Sequence, residues 1–271
     1  MTVTRRDVLN RIEECEKNGE FDKHVDPINY DDCLPVTESF PYVPKNILYK
    51  TKIFFEHNFI VKPFMKRANR DMLHTSFYGL ENLDGIDSAV VICNHVDKFE
   101  CMAVKQALNS KGHKLKIVGA EFNNQKHFLG EMMRAGGMLP LSSNHKVMRR
   151  FNEAIDYYLS HKTSILFYPE QAMWWHYEKP RPFKNGAFHY AVKHNVPIVP
   201  IFITFTLNGT KDEEGIDNKD FHLHVMKPIY PQKELTNREN VEYLKNTSYE
   251  MCKKKYEKFY KKPLVFNTKD N

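Results

Sequence analysis

The chain has 271 residues, 41% of them hydrophobic, 13% aromatic and 27% charged. That is enough for one large domain with its own core, and the spread of aromatic residues excludes a disordered chain. No apolar run approaches the ~20 residues that cross a bilayer, and the opening MTVTRRDVLNRIEECEKNGE lacks the apolar centre of a secretory signal. A non-secreted protein without a membrane-spanning helix is expected.

Lys and Arg outnumber Asp and Glu by 40 to 34, and the charge is segregated. Residues 1–44 form an acidic N-terminal extension, with five basic and ten acidic side chains in the first forty. A short acidic helix is expected over about Arg5 to Lys17, then a Pro- and Asp-rich stretch from Asp26 to Pro44. Residues 45–74 carry seven basic against two acidic side chains. There Ile47, Phe54 and Val61, with Leu48, Phe55 and Phe59, recur at helical spacing between lysines, a basic amphipathic helix that Pro63 should end or kink. Such a helix can lie in a membrane interface or pack on its own core. A second basic stretch, 251–262, has six lysines against one Glu. An anionic surface suits both stretches, as does plain solvation, and no nucleic-acid recognition motif accompanies them.

From residue 75 the pattern alternates. Strands are expected at Thr75–Tyr78, Ala89–Cys93, Leu115–Val118, Met138–Leu141, Ser164–Tyr168, Ile198–Thr204 and His222–Met226. Helices are expected at about Glu100–Leu108, Lys126–Ala135, Val147–Ser160, Ala187–His194 and Glu239–Tyr260. The fold class is therefore α/β, a mostly parallel central sheet flanked by helices over 75–271 and closed by a C-terminal helix. Sites on such sheets lie at the carboxyl ends of the strands. The five cysteines are odd in number and show no CxxC pair, which reads as reduced structural thiols.

Four strand exits carry chemistry-bearing residues. After Ala-Val-Val-Ile-Cys comes Asn94-His95-Val96-Asp97-Lys98-Phe99-Glu100. A carboxylate on one imidazole nitrogen fixes the tautomer, and the other nitrogen can then take a proton from a hydroxyl. Five residues span about 500° of helix, so His95 must sit in the turn before the helix for Glu100 to reach back, and Asp97 is the rival partner. No second His or Cys stands at metal-ligand spacing. Tyr168-Pro169-Glu170 leaves another strand, where Glu170 could bond a substrate hydroxyl. Lys184-Asn185-Gly186-Ala187 enters a helix, where amides and a lysine could hold an anion. Val196-Pro197-Ile198-Val199-Pro200 reads as a buried strand start.

In this order and spacing the blocks, with the approach Phe77-Tyr78-Gly79-Leu80-Glu81-Asn82-Leu83, resemble the glycerolipid acyltransferases typified by 1-acylglycerol-3-phosphate acyltransferases. Their pattern is Asn-His-x-x-x-x-Asp, Gly-x-x-Phe-Ile-x-Arg, Phe-Pro-Glu-Gly-Thr-Arg and Val-Pro-Ile-x-Pro, and the resemblance spans roughly Thr75 to Tyr230. It implies His95 as general base and Glu100, at the family's Asp position, as its orienting carboxylate. Asn94, Glu170, Lys184, Gly186 and Ser143 fall at substrate-binding positions. It further implies a lysophospholipid acceptor, no bound cofactor, and acyl-CoA, acyl carrier protein or acyl phosphate as donor. The expected location is peripheral, on the cytoplasmic face of a membrane, with acyl carrier protein as a possible partner and no nucleic acid. Two departures concern the acceptor: Ser143 stands where the family has an Arg, and Gln171-Ala172-Met173 replaces Gly-Thr-Arg. Neither Ser nor Met supplies a bidentate donor for phosphate, so Lys146, Arg149, Arg150, Arg181 and Lys184 are the nearby candidates for that charge. Trp174 and Trp175 add aromatic surface for a sugar ring or acyl chain, or for the core.

Overall fold

The computed structural model describes residues 3–269. Seven strands form one sheet: β1 (Ser76–Tyr78), β2 (Val90–Cys93), β3 (Lys114–Gly119), β4 (Met138–Pro140), β5 (Thr163–Phe167), β6 (Ile198–Lys211) and β7 (Asp217–Val225). Their order is β1-β7-β6-β2-β5-β3-β4, and every neighbouring pair is parallel except the β6–β7 hairpin. The helices are α1 (Arg5–Lys17), α2 (Ile47–Glu56), α3 (Lys62–Arg67), α4 (Glu100–Ser110), α5 (His127–Ala135), α6 (His145–Ser160), α7 (Gly186–His194) and α8 (Asn237–Tyr260).

The central strand β2 is buried along its whole length, which explains its unbroken apolar sequence. Val90 and Ile92 face one core with Phe151 and Ile155 of α6, Phe188 of α7 and Leu244 of α8. Val91 and Cys93 face a second core with Val104 and Leu108 of α4. Gly79, after β1, is left-handed, and a Cβ there would collide with the Val225 carbonyl, so only glycine fits.

The β6–β7 hairpin runs well past the expected ends. Beyond the core it continues as a polar ribbon, with Thr206 opposite Asp220 and Leu207 opposite Lys219. Its register is inherited from the buried part, so no hydrophobic alternation announces it.

Two features of the first 74 residues go beyond the sequence reading, which has Pro63 ending or kinking its helix and leaves the role of residues 1–44 open. Pro63 does not end its helix: the Lys62 N–H reaches back to the His57 carbonyl, and this π turn carries the winding from α2 into α3. The acidic extension is bound to the domain along its length. Val8, Ile12 and Cys15 of α1, held by a Thr4–Asp7 capping box, pack with Val25 on Ala172, Trp174 and Trp175. Both tryptophans are thus core residues. Farther on, Leu34 pairs with Asn124, and the Tyr42 hydroxyl donates to the Pro140 carbonyl at 2.6 Å.

Candidate active site

Strand β2 delivers Asn94 and His95 to the carboxyl edge of the sheet. The Asn94 side chain is buried and extends the ladder toward β6: its Oδ1 accepts from Ile203 N–H at 2.8 Å, and its Nδ2 donates to the Ile203 carbonyl at 3.0 Å. With both ends of the amide bonded to Ile203, Asn94 pins the strand exit, a structural use that the sequence reading did not foresee.

His95 Nδ1 lies 2.7 Å from Glu100 Oε1. Glu100 is the first residue of α4 and fully buried, and its other oxygen accepts the Asp97 N–H. A carboxylate at a helix N-terminus is stabilised by the unpaired N–H groups there. The geometry is the one the spacing demanded, His95 in the turn and the carboxylate reaching back. Asp97 is not the partner: its Oδ1 accepts from Phe99 N–H at 2.8 Å, and its Oδ2 lies 3.5 Å from His176 Nε2.

With Glu100 accepting the Nδ1 proton, the Nε2 lone pair of His95 is left facing outward. The His95 side chain is 22% exposed. Tyr168 fixes the plane of the ring, stacking on it with centroids 3.9 Å apart at 13°. The Tyr168 hydroxyl is buried without a hydrogen-bond partner, and burial, then the Glu100 charge, push its pKa well above the ordinary phenol value.

Glu170 departs furthest from expectation. It is 1% exposed, and every bond it makes is internal. Oε1 accepts from Arg181 N–H at 2.9 Å, and Oε2 from Arg181 Nη2 at 2.8 Å and His95 N–H at 3.2 Å. Glu170 therefore braces the His95 turn, with both carboxylate oxygens bonded inside the protein. Arg181, equally buried, also donates to the carbonyls of Phe21, Ala172 and His95, and lies over the Trp174 ring at 4.6 Å. Its guanidinium is committed to the interior and unavailable to a phosphate. The main chain joins in: Trp174 N–H donates to the His95 carbonyl at 3.0 Å, and His176 N–H to that of Val96 at 2.8 Å.

Lys184 stays half-exposed and pairs with Asp22 at 2.7 Å. Gly186 opens α7 on an exposed turn where a Cβ would meet nothing within 4 Å, so no close backbone approach explains that glycine. Ser143 is exposed after β4, three strands from β2 and thus roughly 14 Å along the edge at about 4.8 Å per strand. Its N–H donates to Glu121 at 3.4 Å. The structure gathers His95, Glu100, Asn94, Asp97 and Glu170 into one cluster and leaves Ser143 outside it.

Sequence reasoning missed three contributors. Tyr168 was visible as a departure from the family's Phe. Arg181 was noted only as spare charge. The segment after α1 gave no signal: the Lys23 carbonyl accepts from Trp174 Nε1 at 2.9 Å, and His24 and Asp26 follow it along the chain. Burial is the first cause of both their shifts, lowering the His24 pKa and raising that of Asp26. Among the described residues no group of three or more His, Cys, Asp or Glu side chains could hold a metal.

A mostly parallel α/β sheet with a His–carboxylate couple at the mouth of its central strand is an arrangement chemically able to take a proton from a hydroxyl. The Acyltransferase family model matches residues 74–204, which contain every member of that cluster except the supporting contacts from the N-terminal segment. The chloroplastic 1-acyl-sn-glycerol-3-phosphate acyltransferase of Brassica napus is 28% identical over 186 residues, 65% of this chain and 51% of that protein. The Escherichia coli enzyme of the same name is 26% identical over 126 residues, 45% of this chain and 49% of that one. The chain thus spans about half the length of these curated relatives. In fold it is similar to the 1-acyl-sn-glycerophosphate acyltransferase PlsC of Thermotoga maritima, with a TM-score of 0.56 at 17% identity over 80% of this chain and 91% of that one. The chain thus carries an acyltransferase match over residues 74–204 and is similar to 1-acyl-sn-glycerol-3-phosphate acyltransferases in sequence and fold.

Proposed function

We propose that this chain is an O-acyltransferase that moves a fatty acyl group onto a hydroxyl of a lysophospholipid such as 1-acylglycerol-3-phosphate. The observation that carries the reading is the 2.7 Å His95–Glu100 contact at the outlet of β2. His95 Nε2 takes the acceptor's hydroxyl proton as the oxygen attacks the acyl carbonyl of a thioester of coenzyme A or acyl carrier protein, or of an acyl phosphate. The resulting imidazolium, steadied by Glu100, returns the proton to the leaving thiolate or phosphate as the tetrahedral intermediate collapses. Lys184 is the acceptor-side cation of this reading, with Asp22 competing for it.

The exposed apolar face of α2 supports a peripheral location on the cytoplasmic face of a membrane. Leu48 is 77% exposed and α2 has no buried residue, and in the π turn that follows it Phe59 is 69% exposed. No helix among the described residues is long and apolar enough to cross a bilayer. Such a face gains stability by entering the headgroup boundary.

The test is to incubate purified protein with labelled acyl donors and a panel of lysolipids and identify the products by mass. We expect an acylated lysolipid, and His95→Ala to lower turnover by about 10²–10⁴-fold with an unchanged circular dichroism spectrum. Normal turnover by that variant would overturn the mechanism. The enclosure of Arg181 favours a second reading, an acceptor without phosphate, which the same panel would reveal. Lipid binding with no transfer to any acceptor would mark a catalytically silent lipid-binding protein.

A further inference from the structure

A cleft of about 430 Å³ opens between α6 and the turn that leads into α2, away from His95. Its floor is apolar, formed by Val43, Pro44 and Ala154, and its rim carries Lys45, Lys50 and Arg150. The neighbouring cations are neutralised: Lys52 pairs with Glu131 at 3.2 Å, and Arg149 with Glu153 at 3.7 Å. Among the described residues, the three rim cations have no carboxylate within 4.0 Å. The single acidic side chain lining the cleft, Glu153, is the partner of Arg149.

Three unneutralised cations around an apolar floor have positive potential and call for an anion. Arg150 is only half-exposed, so its field is less screened than that of a free surface charge. The first turn of α2 borders the cleft and presents Ile47 and Leu48 to solvent, 70% and 77% exposed. An anionic head beside an apolar neighbour matches an amphiphile better than a free ion.

We propose that this cleft takes the phosphate headgroup of an anionic membrane phospholipid, making the docking of α2 selective for anionic surfaces. The inference rests on the reading of α2 as a membrane-lying helix. The lipid would be a docking ligand, distinct from the acceptor at His95.

Full-length protein is titrated with phosphatidylcholine vesicles, with and without phosphatidylglycerol, and partitioning is read by flotation. Wild type should prefer the anionic vesicles. The variant K45Q/K50Q/R150Q should lose on the order of 10²-fold in partitioning onto them, at about tenfold or less per charge, and keep its binding to neutral vesicles. A control, K253Q/K254Q/K258Q, removes the same charge from α8 and should behave as wild type. Equal losses in both variants, or none in the first, overturn the cleft. Calorimetry with inorganic phosphate separates the sources: saturable binding that K45Q/K50Q/R150Q abolishes, without any preference for anionic vesicles, assigns the cleft to a soluble phosphate and overturns the lipid. Failure of wild type to bind any vesicle defeats the membrane reading itself, whatever the cleft does. Circular dichroism of each variant excludes unfolding as the cause.

Discussion

The turn around His95 and the helix over 47–72 use the same kinds of residue to opposite ends. At the turn, almost every polar group is bonded internally. Asn94 is tied to Ile203, Glu170 to Arg181 and the His95 N–H, and Glu100 to His95 and Asp97. Among the catalytic cluster, the outward nitrogen of His95 is what remains for chemistry. Along α2 and the π turn after it, Phe54, Phe55 and Phe59 stand in solvent, touching chiefly one another. One region has met its ordering cost in advance, as a site that must hold a base in place requires. The other carries an unmet hydrophobic demand, which only a different environment can satisfy.

The contrast can be tested first at Glu100. Glu100→Gln should cut turnover by about 10²-fold or more, because the amide no longer enforces the Nδ1–H tautomer or balances an imidazolium. Glu100→Asp should recover part of the loss and Asp97→Asn should cost far less. An Asp97→Asn enzyme worse than Glu100→Gln would mean that the wrong carboxylate has been assigned. Next in size is the buried pair: Arg181→Met strands the Glu170 carboxylate and should destabilise the fold by about 3–5 kcal/mol in urea unfolding. Replacing both, Arg181→Met with Glu170→Gln, should cost less than the two single changes summed.

On the other side of the comparison, replacing Phe54, Phe55 and Phe59 together by Ser should lower vesicle partitioning by about 10³- to 10⁶-fold, from about 1.5–3 kcal/mol per side chain. The urea midpoint should barely move, since these rings contribute little to the fold. A large fall in stability would show that α2 packs on the domain in solution.

The smallest effect concerns pH. Burial draws the Lys105 ammonium down to about 7, with Lys116 adding repulsion. Between about pH 7 and pH 10 the unfolded chain holds a proton there that the folded one does not, so stability rises with pH across that window. Lys105→Met should therefore raise the melting temperature most near or below pH 7, by an amount that shrinks toward pH 10. An equal gain at all pH values would show that the ammonium is not strained.

Legibility followed locality. The strands at Ala89–Cys93 and Ser164–Tyr168 were readable because a sheet covered on both faces writes itself as an apolar run. The resemblance pointed to Glu100 as the partner of His95 with Asp97 as rival, and helix pitch added that His95 must sit in the turn before the helix for Glu100 to reach it. Glu170 was misread because its partner is eleven residues away across a loop, and a carboxylate that will be buried looks the same in sequence as one facing a ligand. The N-terminal segment was opaque for the same reason: Phe21 and Lys23 contribute backbone carbonyls, and any residue carries one.

Alternation, composition and the order of four short blocks were enough to indicate an α/β acyltransferase-like scaffold with a histidine at the exit of its central strand, since these rest on periodicity and nearest neighbours along the chain. Where the guanidinium of Arg181 is spent, which bonds occupy the Glu170 carboxylate, and how the acidic extension ties into the loop after β5 depended on contacts between segments distant along the chain. Those are fixed by packing and desolvation in three dimensions, which a linear pattern does not encode.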